Sequence, residues 1–119
     1  MYSAQLLDHF QNPRNVGEIL DADAAAEMEN PACGDTLRLT LKTVAGRITR
    51  AQFKAKGCVA AIACGSALTE LIVGKALHEA QNLRQDDLNT AVGGLPPAST
   101  HAAQLALGVL AQALKRIKA

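Results

Sequence analysis

Thr36-Leu37-Arg38-Leu39-Thr40-Leu41-Lys42 places its leucines at every second residue, the period of a strand with one buried face and one wet face. Ala45-Gly46 then supplies a tight turn, and residues 48–56 return with Ile48 and Phe53 among their apolar positions, which predicts an antiparallel hairpin. Upstream, residues 21–30 alternate only weakly. They consist largely of Ala, Glu and Asp, poor strand formers, and predict an edge strand at most. Downstream of Gly57-Cys58 the pattern changes. Residues 59–73 are apolar nearly all round, as a buried helix is, and Gly74 and Lys75 close that stretch.

Helical signals flank this centre. Residues 2–10 read as a short helix with Ser3 as N-cap, Leu6, Leu7 and Phe10 on one side and Pro13 as its stop. The polar, turn-rich Gln11-Asn12-Pro13-Arg14-Asn15-Val16-Gly17 reads as a connection. Two short helices are predicted at 77–82 and 85–92, the second with Asp86 and Asp87 in its first turn. Gly93-Gly94-Leu95-Pro96-Pro97 breaks the chain, and Ser99 or Thr100 can cap a final helix. Leu107, Leu110, Leu114 and Ile117 form its apolar stripe, and Lys115, Arg116 and Lys118 lie near its C-terminus. The predicted fold class is α+β: one domain over 1–119, a small antiparallel sheet of two or three strands, helices packed on one face, an N-terminal helix and a long C-terminal helix.

Composition narrows the function. The chain has 119 residues, enough for a hydrophobic core without disulfide staples, and 3% aromatic content leaves Ala, Leu, Val and Ile to build it. Twelve Lys plus Arg against eleven Asp plus Glu give a net charge of +1, which argues against the dense basic footprint of a nucleic-acid binder. Residues 1–10 lack the pattern of a signal peptide, and no apolar run approaches the ~20 residues of a membrane span. A cytoplasmic protein is the expectation. Three cysteines without a CxxC pair favour reduced thiols over a disulfide framework.

Asn30-Pro31-Ala32-Cys33-Gly34-Asp35 packs a soft thiolate and a hard carboxylate into three residues around a glycine. The plain alternative is a turn before a strand. Cys58 falls just before the buried helix, where free N–H groups and the helix dipole favour a thiolate. His101 falls in the first turn of the last helix. There the dipole disfavours the imidazolium and leaves a ring nitrogen for metal; a capping or surface histidine is the simpler alternative. Cys33, Asp35, Cys58 and His101 together would make a mixed set suited to tetrahedral zinc or to iron. Cys64, six residues past Cys58, points roughly 120° away on a helix and reads as a buried structural cysteine. His9 reads as structural and His78 as solvated.

These residues resemble, in order, the U-type iron-sulfur cluster assembly scaffolds, that is, the IscU family and the N-terminal domain of NifU. The resemblance runs through Asp8-His9-Phe10-Gln11-Asn12-Pro13-Arg14-Asn15-Val16-Gly17, Pro31-Ala32-Cys33-Gly34-Asp35 and Phe53-Lys54-Ala55-Lys56-Gly57-Cys58-Val59-Ala60-Ala61-Ile62-Ala63. It continues through Thr69-Glu70, Gly74-Lys75-Ala76-Leu77-His78-Glu79-Ala80 and Leu95-Pro96-Pro97 to His101. It implies a carrier, not a turnover enzyme and without catalytic residues. On such a carrier iron and the sulfide delivered by a cysteine desulfurase become a transient [2Fe-2S] cluster that passes to acceptor proteins. It assigns Cys33, Asp35, Cys58 and His101 to the cluster and metal site, with zinc possible in the purified protein, and a monomer or weak homodimer.

Two departures stand out. The family carries a third cysteine directly after the histidine, and this chain has Ala102; the family's chaperone-recognition motif has Lys where this chain has Ser99, which takes a charge from docking to an Hsp70-type chaperone. The rival reading is a zinc-binding structural or regulatory paralogue that has lost sulfur acceptance. A thiol enzyme with Cys58 as nucleophile and His101 as base is weaker, because no third group orients the base.

Overall fold

The computed structural model describes residues 2–31 and 34–117. Helix α1 (Ala4–Gln11) leads into three strands, β1 (Ala24–Asn30), β2 (Asp35–Val44) and β3 (Arg47–Lys56). Helices α2 (Val59–Ile72), α3 (Leu77–Gln81), α4 (Gln85–Ala91) and α5 (Thr100–Lys115) follow. The strands form one antiparallel sheet in the order β1-β2-β3. Helices α2 and α5 pack on one of its faces and on each other.

The leucine alternation of β2 sets the inner face. Leu37, Leu39 and Leu41 are each at most 1% exposed and pair with Ala55, Phe53 and Ala51 of β3. Each such leucine contributes about 1.5–3 kcal/mol of burial. At the hairpin tip Ala45 (φ 52°) and Gly46 (φ 77°) both adopt left-handed backbone, as a two-residue turn with native strand twist requires. The alanine-rich 24–30 stretch is indeed an edge strand. Its small residues let α5 lie close: Ala24 and Ala26 are buried, and Gly108 of α5 faces Met28, whose sulfur stands 3.1 Å from where a Cβ would be.

Helix α2 is the spine of the domain, with ten of its residues buried, Cys64 among them. Gly65 makes its seat on the sheet: a Cβ there would stand 2.6 Å from the Phe53 ring and 3.1 Å from Leu37. On the outer face of the sheet, Ile19 is 3% exposed, and its N–H donates to the buried Thr40 hydroxyl at 3.1 Å.

Several local readings need correction. Ser3 does cap α1, its hydroxyl accepting from Leu6 N–H at 2.9 Å, but the buried side of that helix carries Leu6 and His9 while Leu7 is 38% exposed. The segment after α1 is docked rather than free: Asn15 C=O accepts from Phe53 N–H, Gly17 N–H donates to Phe53 C=O, and Arg14 N–H donates to Ser66 Oγ. Neither Ser99 nor Thr100 caps α5 with its side chain. A 3₁₀ turn, Pro97–Ser99, runs straight into the helix instead, and Thr100 Oγ1 donates back to Pro97 C=O at 3.2 Å. The buried face of α5 is Ala102, Ala103, Ala106, Val109 and Ala113, with Leu105, Leu110 and Leu114; Leu107 and Ile117 lie at its half-buried margin. Alanines carry little signal in a hydrophobic pattern, so the large residues on the margin marked a stripe offset from the true seat. Lys118 lies outside the described residues.

Candidate metal centre

Three elements converge on one point at the end of the sheet. Asp35 is the first residue of β2 and is 2% exposed; Cys58 is the N-cap of α2; His101 lies in the first turn of α5. One donor atom from each, a carboxylate oxygen, the thiol sulfur and a ring nitrogen, lie within 4.8 Å of one another. Cys33, the remaining candidate from the sequence, lies outside the described residues.

Asp35 organises the triad. Its Oδ1 accepts from Cys58 N–H at 3.0 Å and its Oδ2 accepts from the Cys58 thiol at 3.2 Å. His101 Nε2 stands 3.5 Å from the same Oδ2. The carboxylate reaches this position only because residue 57 is glycine: Gly57 has φ 137°, and a Cβ there would stand 2.0 Å from Asp35 Oδ1. Nothing in the spacing of the sequence marked that role for Gly57. The signal available was a glycine beside a candidate ligand.

Cys58 caps α2 as its position predicted, with Sγ accepting from Ala61 N–H at 3.3 Å. The expected thiolate preference is reversed, however. Burial pushes the Cys58 thiol up, the Asp35 carboxylate adds to that through its hydrogen bond and charge, and the opposing Ala61 and Ala60 N–H groups do not compensate. The helix terminus favours the anion, but burial, with the Asp35 carboxylate adding to it, outweighs that preference. A cation placed among these donors would reverse the balance.

A metal fits the geometry on two grounds. The donor set is one hard oxygen, one borderline nitrogen and one soft sulfur, which suits iron or zinc. In addition, His101 Nε2 is buried and makes no hydrogen bond among the described residues, an orphan that a metal ion would satisfy.

Cys64 takes no part in this triad. It is 0% exposed within the core, and burial first, with the nearby Cys58 second, pushes its thiol up to about 12. His9 is also buried and structural, its Nδ1 2.8 Å from Ser66 Oγ.

The chain matches the family model for the NifU-like N-terminal domain over residues 1–119. It is 44% identical over 114 residues to the iron-sulfur cluster assembly scaffold protein IscU 1 of Archaeoglobus fulgidus, a match covering 96% of this chain and 74% of that protein. It is 38% identical over 121 residues to the scaffold protein IscU of Escherichia coli, with 98% and 94% covered. Among solved structures, the N-terminal part of a NifU-like protein from Brucella abortus superposes with a TM-score of 0.78 at 19% identity, covering 97% of this chain and 92% of that one, which shows a shared fold. On the whole-length family match and these identities, the chain belongs to the NifU-like N-terminal domain family.

Proposed function

We propose that this chain is a scaffold for iron-sulfur cluster assembly, on which iron and sulfide are built into a [2Fe-2S] cluster held by Cys33, Asp35, Cys58 and His101 and then passed to acceptor proteins. The observation that carries this is the convergence of the Asp35, Cys58 and His101 donors within 4.8 Å, in a chain whose relatives are named as scaffolds. The zinc-binding paralogue is not favoured, since no relative cited above is so described.

The chain's own residues do specific work. Asp35 holds the Cys58 thiol as a hydrogen-bond donor and faces the unpaired His101 nitrogen, so the donors stay poised on one another before cargo arrives. When iron binds, the Cys58 S–H proton leaves to solvent, and the sulfur, carboxylate and imidazole turn to the metal. His101 and the cap position of Cys58 are half-exposed, which suits a site that must receive and release its cargo.

The sulfur donor is a cysteine desulfurase and the recipients are iron-sulfur acceptor proteins, with docking to an Hsp70-type chaperone weakened at Ser99. The working form is a cytoplasmic monomer or weak homodimer without nucleic-acid or membrane partners. No helix among the described residues is long and apolar enough to cross a membrane.

Anaerobic reconstitution with iron, cysteine and a cysteine desulfurase tests the proposal. A stoichiometric [2Fe-2S] spectrum with matching bound iron and sulfide is the expected result. One firmly held zinc per chain and no cluster would put the zinc-protein reading in its place.

A further inference from the structure

Strand β1 ends the sheet: β2 covers one of its edges, and among the described residues no strand covers the other. Two hydrogen bonds fix which backbone groups lie on that open edge. Leu41 C=O accepts from Asp23 N–H, so alternate residues of β2 from Leu41 back to Leu37 turn their backbone groups toward β1 and meet Ala24, Ala26 and Met28 in the register. Ala25 C=O accepts instead from the Arg116 side chain at 2.7 Å. The N–H and C=O groups of Ala25, Glu27 and Glu29 therefore point away from β2. Arg116 closes the edge at Ala25, whereas nothing among the described residues bonds the edge groups of Glu27 and Glu29. Such an unpaired row is a template for another strand.

Side chains decide which strand it accepts. Glu27 and Glu29 are exposed and lie on the outer face of the sheet, away from α5. Their β2 neighbours are Arg38, whose guanidinium is held by Glu18, and Thr36. Neither carboxylate forms a salt bridge among the described residues. Antiparallel pairing of two copies of β1, centred on Glu27 or on Met28, would set carboxylate against carboxylate, and like charges directly opposite are destabilising. A strand with cations at alternate positions meets both carboxylates from the uncovered side instead. Between them Met28 faces inward against Gly108 of α5. The shallow cleft of about 220 Å³ beside it, lined also by Leu105 and His101, leaves room for one apolar side chain of the newcomer.

We infer that the open edge of β1 at Glu27 and Glu29 receives a short extended segment of a partner protein, paired antiparallel, with two cationic side chains flanking one apolar side chain. The cations lie opposite Glu27 and Glu29, and the apolar residue lies opposite Met28. Because His101 lines the same cleft, a partner docked there brings its chain alongside the donor triad. The inference stands on the edge and its charges, with or without a metal in the triad.

The acetylated and amidated pentapeptide Thr-Lys-Leu-Lys-Thr, titrated into the isotope-labelled full chain, tests this by amide hydrogen exchange. Without peptide, the amides of Glu27 and Glu29 should exchange quickly, while those of Ala26 and Met28, bonded to β2, are protected. Saturating peptide should slow Glu27 and Glu29 by at least about tenfold and leave Ala26 and Met28 as they were. Methylating the backbone nitrogens of both peptide lysines removes their N–H donors and keeps their charges; it should weaken binding at least about tenfold. The paired change Glu27→Lys with Glu29→Lys should do the same, with an unaltered circular dichroism spectrum. If that variant fails to fold, the methylated peptide on the natural chain decides alone. The acidic counterpart Thr-Glu-Leu-Glu-Thr should not bind. The inference is overturned if no protection develops at Glu27 and Glu29, or if the methylated or the acidic peptide binds as tightly as the parent. It is also overturned if those two amides are already protected without peptide, and self-association in sedimentation would then make a second copy the occupant.

Discussion

At Gly57 the absence of a side chain decides where a ligand sits. A methyl group there would collide with the Asp35 carboxylate at 2.0 Å and stand 2.9 Å from its Cα, on a backbone of φ 137° that other residues rarely adopt. Gly57→Ala should therefore cost about 1–3 kcal/mol of stability and about 10–100-fold in zinc or cobalt affinity, as loss of a ligand's supporting contacts does. Chemical denaturation and metal titration read the two effects. In an Asp35→Ala background most of the added clash is gone, so the stability cost of Gly57→Ala should shrink; equal costs in both backgrounds would show that the carboxylate is not what the glycine accommodates. Cys64 gives the opposite case. It is buried and held protonated near pKa 12, so Cys64→Ala should cost about 1 kcal/mol of packing and leave the reconstituted cluster spectrum intact. Loss of that spectrum would instead make Cys64 a third thiol.

Between elements, the closest seat is that of α2 on the sheet. Gly65→Ala would gain up to about 1 kcal/mol of helix propensity yet places a methyl 2.6 Å from the ring of Phe53, which is 2% exposed and cannot swing away. Overpacking costs about 1–3 kcal/mol, so the variant should be less stable, with a lower Tm and an unchanged helix content by circular dichroism. Phe53→Leu should relieve part of that loss. This seat also shows what could be read in the chain and what could not. The leucines of β2 announce a half-buried strand because alternation is a local property, and the apolar run of α2 announces a buried helix for the same reason. Asp35, Cys58 and His101 were each legible as chemistry at the start of an element. Their grouping into one site came from their chemistry and from the family resemblance, not from spacing, since residues 35, 58 and 101 meet only when α2 and α5 share one face of the sheet. The seat of α5 was only half read, through Leu110 and Leu114, because alanines make much of it; its start at Ser99 and Thr100 was read correctly, but a 3₁₀ turn takes over the work of a capping side chain there.

Across the whole molecule, the N-terminal segment is tied to the spine at two buried hydroxyls, those of Ser66 and Thr69. Ser66 Oγ, 0% exposed in mid α2, accepts from Arg14 N–H at 2.9 Å and meets His9 Nδ1 at 2.8 Å, while Asn15 Nδ2 donates to Thr69 Oγ1 one turn on. Glu70 Oε1 lies 3.6 Å from His9 Nε2, and Asp8 and Arg14 flank the ring. Ser66 Oγ keeps a second lone pair beside the one that accepts from Arg14, so its bond to His9 Nδ1 persists in either protonation state, and what disfavours the charged ring is its burial and the Arg14 charge. Burial first, and the Arg14 charge second, hold the His9 pKa below its ordinary 6.5 despite the pull of Glu70 and Asp8. In the unfolded chain His9 takes up its proton near 6.5, before the folded chain does. Stability should accordingly be full above that value, fall as pH drops below it, and level off once the folded ring is protonated too. The carboxylates of Asp8, Glu18, Asp21 and Glu79 act in a separate window: hydrogen-bonded partners lower each in the fold, so the stability they add is lost only below their ordinary values of 3.8 to 4.5. Urea unfolding between pH 7.5 and 5.5 thus isolates the histidine tether. His9→Asn should be less stable than the natural chain at pH 7.5 and should lose most of the decline toward pH 5.5. A decline of the same size in the variant would place the pH sensitivity elsewhere and leave His9 as packing alone.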